Sequence, residues 1–444
     1  MKNLITCIAF VGCFAFAKAQ TQKTWTLQEC IQYAIDNNIN VKLSELQVES
    51  VAIDKRDAIG QFVPSLNGSA NLSVNNGTNI NPTTNAFEST TFLSITPQIS
   101  SRVTLFDGLR NFKTLQRAKL NNMLTLYQLE QSENDVLLII ANNFVQILLN
   151  KENLNTIQNQ HEITQLSMDN TTELVDAGAV PRGDLLEIQA TYANEEQQIV
   201  AAKNAVQISK ISLAQTMNLE DFTDFDVASP EFDLPENSIL FNQPEDIVQK
   251  ALETQPQIKV ADQNIEIALK DLEIAKGARL PTLSGFFNYN TRYADNDFFN
   301  RTLNEQLYQN DGYSYGLSLN IPILNNFSVD NNISRSKLNV LRNELQKEQT
   351  VFNLKANVYQ AFTDAQASIS SYNAALKTVE ARELAAQYAK DRYEVGLMNS
   401  FDYNQSRTQL LNAQVTVNQA KYDYIFKLKV LEIYYGLEPD QIKL

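Results

Sequence analysis

Apolar residues recur along this chain with two different periods. Leu185, Tyr192, Ile199, Val206 and Leu213 stand seven apart, as do Tyr403, Leu410, Val417, Tyr424 and Leu431. A strict repeat of seven draws one stripe along a helix and favours left-handed supercoiling with its neighbours. Leu137, Ile140, Phe144, Ile147, Leu154 and Ile157 alternate by threes and fours, interrupted in the seam by Lys151. Ala413 and Ala420 follow ladder residues by three and let helices approach closely. The pattern predicts helices over 27–60, 109–177 and 184–217, and again over 244–277, 328–394 and 402–436. At ~1.5 Å per residue the longest reach roughly 100 Å and the shorter ones roughly 50 Å. Two short helices stacked end to end therefore match one long one.

The second period is two. Leu93, Ile95, Ile99, Val103 and Leu105 alternate with Ser94, Thr96, Gln98, Ser100 and Arg102. Tyr313, Tyr315, Leu317, Leu319, Ile321 and Ile323 alternate with Ser314, Gly316, Ser318, Asn320 and Pro322. Weaker alternation runs through Leu66, Ala70, Leu72 and Val74, and through Leu283, Phe287, Tyr289, Thr291 and Tyr293. Four strands are predicted, at about 64–76, 91–106, 281–293 and 313–324. Each has about the ~10 residues that cross a bilayer as a tilted strand. A soluble hairpin with one buried face would alternate in the same way. Small polar residues between the apolar ones, and the long polar loops Asn75–Thr91 and Ala294–Gly312, favour strands between lipid and a water-filled lumen.

The elements come in pairs because the chain repeats itself at a shift of 217 to 218 residues. Ala34-Ile35-Asp36-Asn37 answers to Ala251-Leu252-Glu253-Thr254, Pro64-Ser65-Leu66 to Pro281-Thr282-Leu283, and Leu219-Glu220 to Leu437-Glu438. A repeat this long is a duplicated structural unit. Repeat 1 spans 20–217 and repeat 2 spans 244–444. The connecting stretch 218–243 holds seven acids, Pro230, Pro235 and no lysine or arginine, and is expected outside, midway along the helical columns.

The first 19 residues have the form of a secretory signal: Lys2, an apolar run from Leu4 to Phe16, and Ala17-Lys18-Ala19 before Gln20. Acylation of Cys13 is the competing reading. Cleavage after Ala19 leaves Cys30 as the one cysteine, so no intrachain disulfide forms. It also removes Lys2 and Lys18 and moves the net charge from −15 to −17. That acidity argues against nucleic acid and against basic anchoring on anionic lipid. Beyond the signal, the longest purely apolar run is Val136 to Ala141, far short of the ~20 residues of a spanning helix.

Four strands are too few to close a barrel, for which about eight is the small end. An open sheet leaves unpaired edges that lipid does not tolerate. Cyclic association is the natural closure.

Two Gly-x5-Asp segments, Gly178 to Asp184 and Gly396 to Asp402, each join a long helix to a ladder helix. With the signal, the paired hairpins and the repeat, the chain from 24 to 444 resembles the TolC family of outer-membrane efflux proteins. The fold class is then mainly α with a transmembrane β-barrel: two tandem repeats, a periplasmic tunnel of long coiled-coil helices, and four strands per chain in a shared 12-stranded barrel. The resemblance implies a homotrimer in the outer membrane of a Gram-negative bacterium, most of it in the periplasm. It further implies a periplasmic adaptor and an inner-membrane transporter as partners. A non-pore periplasmic scaffold or adhesin is the alternative.

Glycine suits a helix C-terminus and aspartate the next N-terminus, so both segments also read as helix caps. Carried over from the family, Gly178, Ala179, Val180, Gly396, Leu397 and Met398 are adaptor contacts, and Asp402 lines the closed aperture. Well-known members have a second acid where this chain has Gln405, and a basic residue where it has Met398. Arg182 in the other tip could substitute, with Asp184 beside it, so the closed gate is expected to be weaker or differently latched.

No constellation suits catalysis, and no enzyme activity or cofactor is expected. His161 is the only histidine, and one histidine with one mature cysteine cannot make an ordinary structural zinc site. No phosphate-binding or dinucleotide glycine motif is present. Energy for transport must come from a partner.

Overall fold

The computed structural model describes residues 24–80, 84–220, 222, 224–229, 239–297 and 299–437. The expected signal segment with Cys13, and the centre of the acidic connector at 230–238, lie outside the described residues. Repeat 1 contains α1 (Leu27–Asn37), α2 (Ile39–Gly60), β1 (Ser65–Ile80), β2 (Phe87–Phe106), α3 (Arg110–Asp176) and α4 (Arg182–Met217). Repeat 2 contains α5 (Pro244–Thr254), α6 (Pro256–Gly277), β3 (Thr282–Asn290), α7 (Leu303–Gln309), β4 (Gly312–Asn320), α8 (Ser328–Glu394) and α9 (Ser400–Tyr435).

The stretches 27–60 and 244–277 are each two helices rather than one. Asn38 is extended (φ −63°, ψ 132°), and its side-chain oxygen accepts from Asn40 N at 2.8 Å while its amide donates to Thr216 O at 2.7 Å. Gln255 is extended in the same way (φ −67°, ψ 128°), and its amide donates to Ile433 O at 2.8 Å. The residue before a proline is driven out of the helical region, and Pro256 follows Gln255. Each joint thus ties a helix junction to the end of a ladder helix, at positions related by the repeat, and Asn38 also caps α2 through its side chain.

Those ties stack α4 against α2 along α3. Asn143 near the middle of α3 donates to Thr216 Oγ1 at 3.1 Å, while Asn111 at its start reaches Gln61 O beside the sheet. α6 and α9 flank α8 correspondingly. The apolar core gathers where these ends meet. Leu137, Ile140, Phe144 and Ile147 of the seam are at most 2% exposed and pack with Cys30 and Ile31 of α1, Leu213 and Met217 of α4, and Ile425 of α9. α5 covers Leu354, Val358 and Leu431 in the same fashion.

Lys151, the interruption in the seam, has its partner in the connector. Asp226–Val227 pairs in parallel with Thr24–Trp25, and Lys151 Nζ donates to Val227 O at 2.8 Å. Asp226 takes ion pairs from Lys151 at 2.7 Å and Lys210 at 3.0 Å. Burial works against its charge, but the two lysines prevail and hold the carboxyl below the usual carboxylate range. Phe225 and Val227 are buried. This part of the connector therefore packs inward, against the expectation of an external strap.

The sheet has the order β1-β2-β3-β4, antiparallel throughout, and off this path the short strand Tyr293–Ala294 also pairs with β2. Register puts Leu72 opposite Ile95, Ile99 opposite Tyr289, and Tyr289 opposite Tyr313, so one apolar face runs across all four strands. On β4, Tyr313, Tyr315, Leu317 and Leu319 are all 61–76% exposed. The other face puts Asn71 opposite Thr96, Ser100 opposite Asn288, and Asn288 opposite Ser314. β1 and β2 are longer than expected and pair continuously from Ser65–Arg102 to Ile80–Phe87, so much of the expected loop Asn75–Thr91 is strand. The loop after β3 folds on itself: Gln306 is buried and bonds Ala294 N and O, and Thr302 with Glu305 forms a reciprocal cap on α7. Among the described residues no helix is long and apolar enough to cross a membrane.

Candidate functional site: the turns between the long helices

α3 ends at Asp176 and α8 at Glu394, and each chain reversal begins with a left-handed glycine, Gly178 at φ +71° and Gly396 at φ +75°. Gly178 N donates to Val175 O at 2.9 Å and Ala179 N to Leu174 O at 2.8 Å; Gly396 N and Leu397 N repeat the pattern to Tyr393 O and Arg392 O. These bonds satisfy carbonyls that the helix ends leave open. Nothing lies within 4 Å of a Cβ placed on either glycine, so conformation alone requires the residue type. Gly396→Val is expected to cost about 1–2 kcal/mol, read from denaturant unfolding. An unchanged midpoint would show that the turn tolerates an ordinary residue.

The aspartates are not the N-caps they resembled. Asn399 caps α9: its side-chain oxygen accepts from Asp402 N at 2.8 Å, and its amide donates to Asp402 Oδ2 at 3.0 Å. α4 follows an extended Pro181 with no side-chain cap. Asp184 and Asp402 lie inside the first turns, where their charge still suits the helix dipole. Asp184 is thereby free to reach across, and Ser400 Oγ donates to its Oδ1 at 2.7 Å.

That bond joins the tips of the two repeats. A second lies slightly deeper, where Thr171 Oγ1 and the Tyr393 hydroxyl are 3.1 Å apart. The Tyr393 ring stacks on Tyr403, centroids 5.0 Å apart and 12° from parallel. Of the residues singled out from sequence, Ala179, Arg182, Gly396, Leu397, Asp402 and Gln405 are exposed, and Val180, Asp184 and Met398 are half-buried. Arg182 has no ion pair with another described residue; the tips are held instead through Asp184 and Tyr393. Val395, Leu397 and Phe401 form an apolar set, each at least 60% exposed. Phe401 was missed, although its place between Ser400 and Asp402 in the turn was a signal.

One layer above the tips is a buried polar cluster that the sequence did not disclose. Arg407 of α9 is 5% exposed and donates to Gln160 O at 3.1 Å and Thr164 Oγ1 at 2.6 Å. With its amide oxygen turned to the guanidinium, Gln160 also accepts from Arg407 Nε at 3.0 Å. Glu195 of α4 is likewise 5% exposed, 3.7 Å from His161 Nδ1, and His161 stacks on Tyr192. Burial pushes the Glu195 carboxyl up from its ordinary value, against hydrogen bonds from Thr164 and Gln160 and the charge of Arg407. Burial also pulls the Arg407 guanidinium down from its usual value. The ladder spacing explains why α9 faces α3 here, but not why the contact is charged.

No group of three or more His, Cys, Asp or Glu side chains among the described residues is arranged to hold a metal ion. The geometry is that of two helical hairpins tied at their tips, with an apolar set facing out.

The family model for outer membrane efflux proteins matches residues 30–219 and 247–435. The chain is 22% identical over 445 residues to outer membrane protein TolC of Salmonella enteritidis, an alignment covering 98% of this chain and 86% of that protein. Its fold is similar to that of the CmeC outer membrane channel of Campylobacter jejuni, with TM-score 0.79 and 20% identity over 94% of this chain and 87% of the other. It is also similar to that of the outer membrane protein VceC of Vibrio cholerae, with TM-score 0.76 and 15% identity over 92% and 95%.

Proposed function

The chain belongs to the outer membrane efflux protein family, a family of outer-membrane channels, and from that premise we propose that three copies form one passive export duct. In this reading each copy lends four strands to a 12-stranded barrel, and the helices continue as a tunnel through the periplasm. The observation that carries it is the sheet: one face apolar across four strands, the other polar, and both edges open. Such a sheet satisfies its backbone in lipid only when neighbouring copies pair with its edges.

The tunnel ends at the turns after α3 and α8. There Gly178, Ala179, Val180, Gly396, Leu397 and Met398 would meet a periplasmic adaptor that links the duct to an inner-membrane transporter. Asp402, with Gln405 beside it, would line the aperture, and threefold symmetry would gather three copies of each. The bonds from Ser400 to Asp184 and between Thr171 and Tyr393 would hold the tips closed in place of a basic residue at Met398. Arg182 would contribute charge at the rim.

A photoreactive residue in place of Leu397 tests the docking. It is 70% exposed, and in living cells it is expected to trap a periplasmic adaptor identifiable by mass spectrometry. A correctly assembled outer-membrane protein that traps nothing at Leu397 would remove the adaptor from this account.

A further inference from the structure

The residues ahead of α1 are firmly seated. Thr24–Trp25 pairs in parallel with Asp226–Val227, and Ala228 N donates to Trp25 O at 2.9 Å. The Trp25 ring meets Tyr33 edge-on with centroids 5.3 Å apart, and Phe225 at 6.1 Å. Thr26 then caps α1 reciprocally: Glu29 N donates to Thr26 Oγ1 at 3.2 Å, and Thr26 N to Glu29 Oε2 at 2.9 Å. Leu27, Cys30 and Ile31 follow and are at most 5% exposed. Strand, cap and core together pin Thr24. It cannot shift along the column without drawing α1 out of the interior.

The height of this seat follows from α3. Val227 O accepts from Lys151, which lies 41 residues beyond Arg110, where α3 leaves the sheet. At ~1.5 Å per residue the seat is roughly 60 Å below the sheet. α1 and α2 measure it independently, since Gly60 lies 33 residues after Leu27, or roughly 50 Å. In the other direction Asp176, at the end of α3, is 25 residues beyond Lys151, or roughly 38 Å.

Ten residues separate Cys13 from Thr24. Fully extended, such a link spans at most about 40 Å. An acyl chain on Cys13 needs that cysteine at a lipid surface, and the sheet puts the outer membrane roughly 50–60 Å above the seat. Length alone keeps them apart, whatever path the link takes. Downwards the link reaches no further than the tips.

We propose that Cys13 carries no lipid in the mature protein, and that the chain is cut between Cys13 and Thr24. One peptide bond there is hydrolysed, water supplying the hydroxyl of the new carboxyl end and the hydrogen of the new amine. The cut leaves an unacylated amino-terminal end at mid-column. The inference rests on the reading of the sheet as membrane-spanning, and adds that strands alone hold the chain in the outer membrane.

The test is metabolic labelling of cells with an alkyne fatty acid, then purification of the full chain from membranes and measurement of its intact mass. The native chain should take no label, and its mass should be that of a chain starting at Gln20. Cys13→Ser should change neither mass nor membrane retention. A resident lipoprotein of the same cells shows that the labelling works. A label that Cys13→Ser abolishes, or a mass that includes Cys13, overturns the inference. Trp25 is the only tryptophan, so its fluorescence reads the seat in the same sample. Its emission should be shielded from acrylamide, and free quenching would remove the seat on which the inference stands. Alkaline washing of the membranes separates the two levels. An unlabelled chain that stays is held by its strands, whereas an unlabelled chain that washes off overturns the shared duct itself.

Discussion

Replacing Arg407 with methionine is expected to destabilise the folded chain by about 3–5 kcal/mol, the usual cost of removing one partner from a buried charged set. The guanidinium is 5% exposed, bonded to Gln160 and Thr164, and lies 5.6 Å over the Tyr403 ring. Methionine fills a similar volume but leaves Glu195 buried without the cation that faces it. The loss should depend on pH. The folded Glu195 carboxyl has its pKa raised above the unfolded value of 4.5, so its favourable contribution is complete below that value and is lost as pH rises through the folded value. Without Arg407 the folded value moves higher still, and the deficit of the variant should widen from about pH 5 to about pH 8. Denaturant titrations of both proteins at the two pH values measure it. Adding Glu195→Leu should restore much of the stability, since apolar replacement of a whole buried pair is often neutral. An equal deficit at both pH values would mean that Arg407 acts by packing alone.

On the proposed reading, breaking both tip bonds should open the duct. Tyr393→Phe removes the hydroxyl that meets Thr171, and Ser400→Ala removes the donor to Asp184. Neither change enlarges a side chain, and Tyr393 keeps its stacking on Tyr403 as phenylalanine. Each bond contributes about 1 kcal/mol. Losing both should shift the balance toward parted tips by about 30-fold per chain. Single-channel recording in planar bilayers would show this as larger and longer-lived conductance. Cells with the double variant should be more susceptible to antibiotics than cells with the native chain. Unchanged conductance from a well-folded double variant would place the closure elsewhere, at Asp402 first.

The duplicated plan was legible because the sequence punctuates it. Glycine and proline are concentrated around the strands, and the seven-residue ladders fall at equal positions in both halves. The tips were legible from Gly178 and Gly396, whose positive φ excludes most other residues. The joints in the composite columns were not read, although Pro256 marks one of them. Asn38 marks the other only through its bond to Thr216, which no local pattern predicts. The caps went wrong for a similar reason. Aspartate and asparagine both serve at helix starts, and the choice of Asn399 over Asp402 depends on where the turn releases the chain. The Arg407 cluster was hidden by distance, since its partners lie more than 240 residues away and look like polar-face residues in their own helix.

The core around Phe144 has a consequence for how the molecule is made. It draws on Leu27 and Ile31 near one end of the chain, on Val227 in the connector, and on Ile425 and Ile433 near the other end. Repeat 1 therefore cannot finish its own interior from its own residues. Closure over separations this large is slow relative to local helix formation. The long helices form early, while their final partners arrive only when nearly the whole chain is available. During that interval the apolar stripes lie open to any similar stripe nearby, so assembly favours whole chains meeting whole chains over joining half-made pieces.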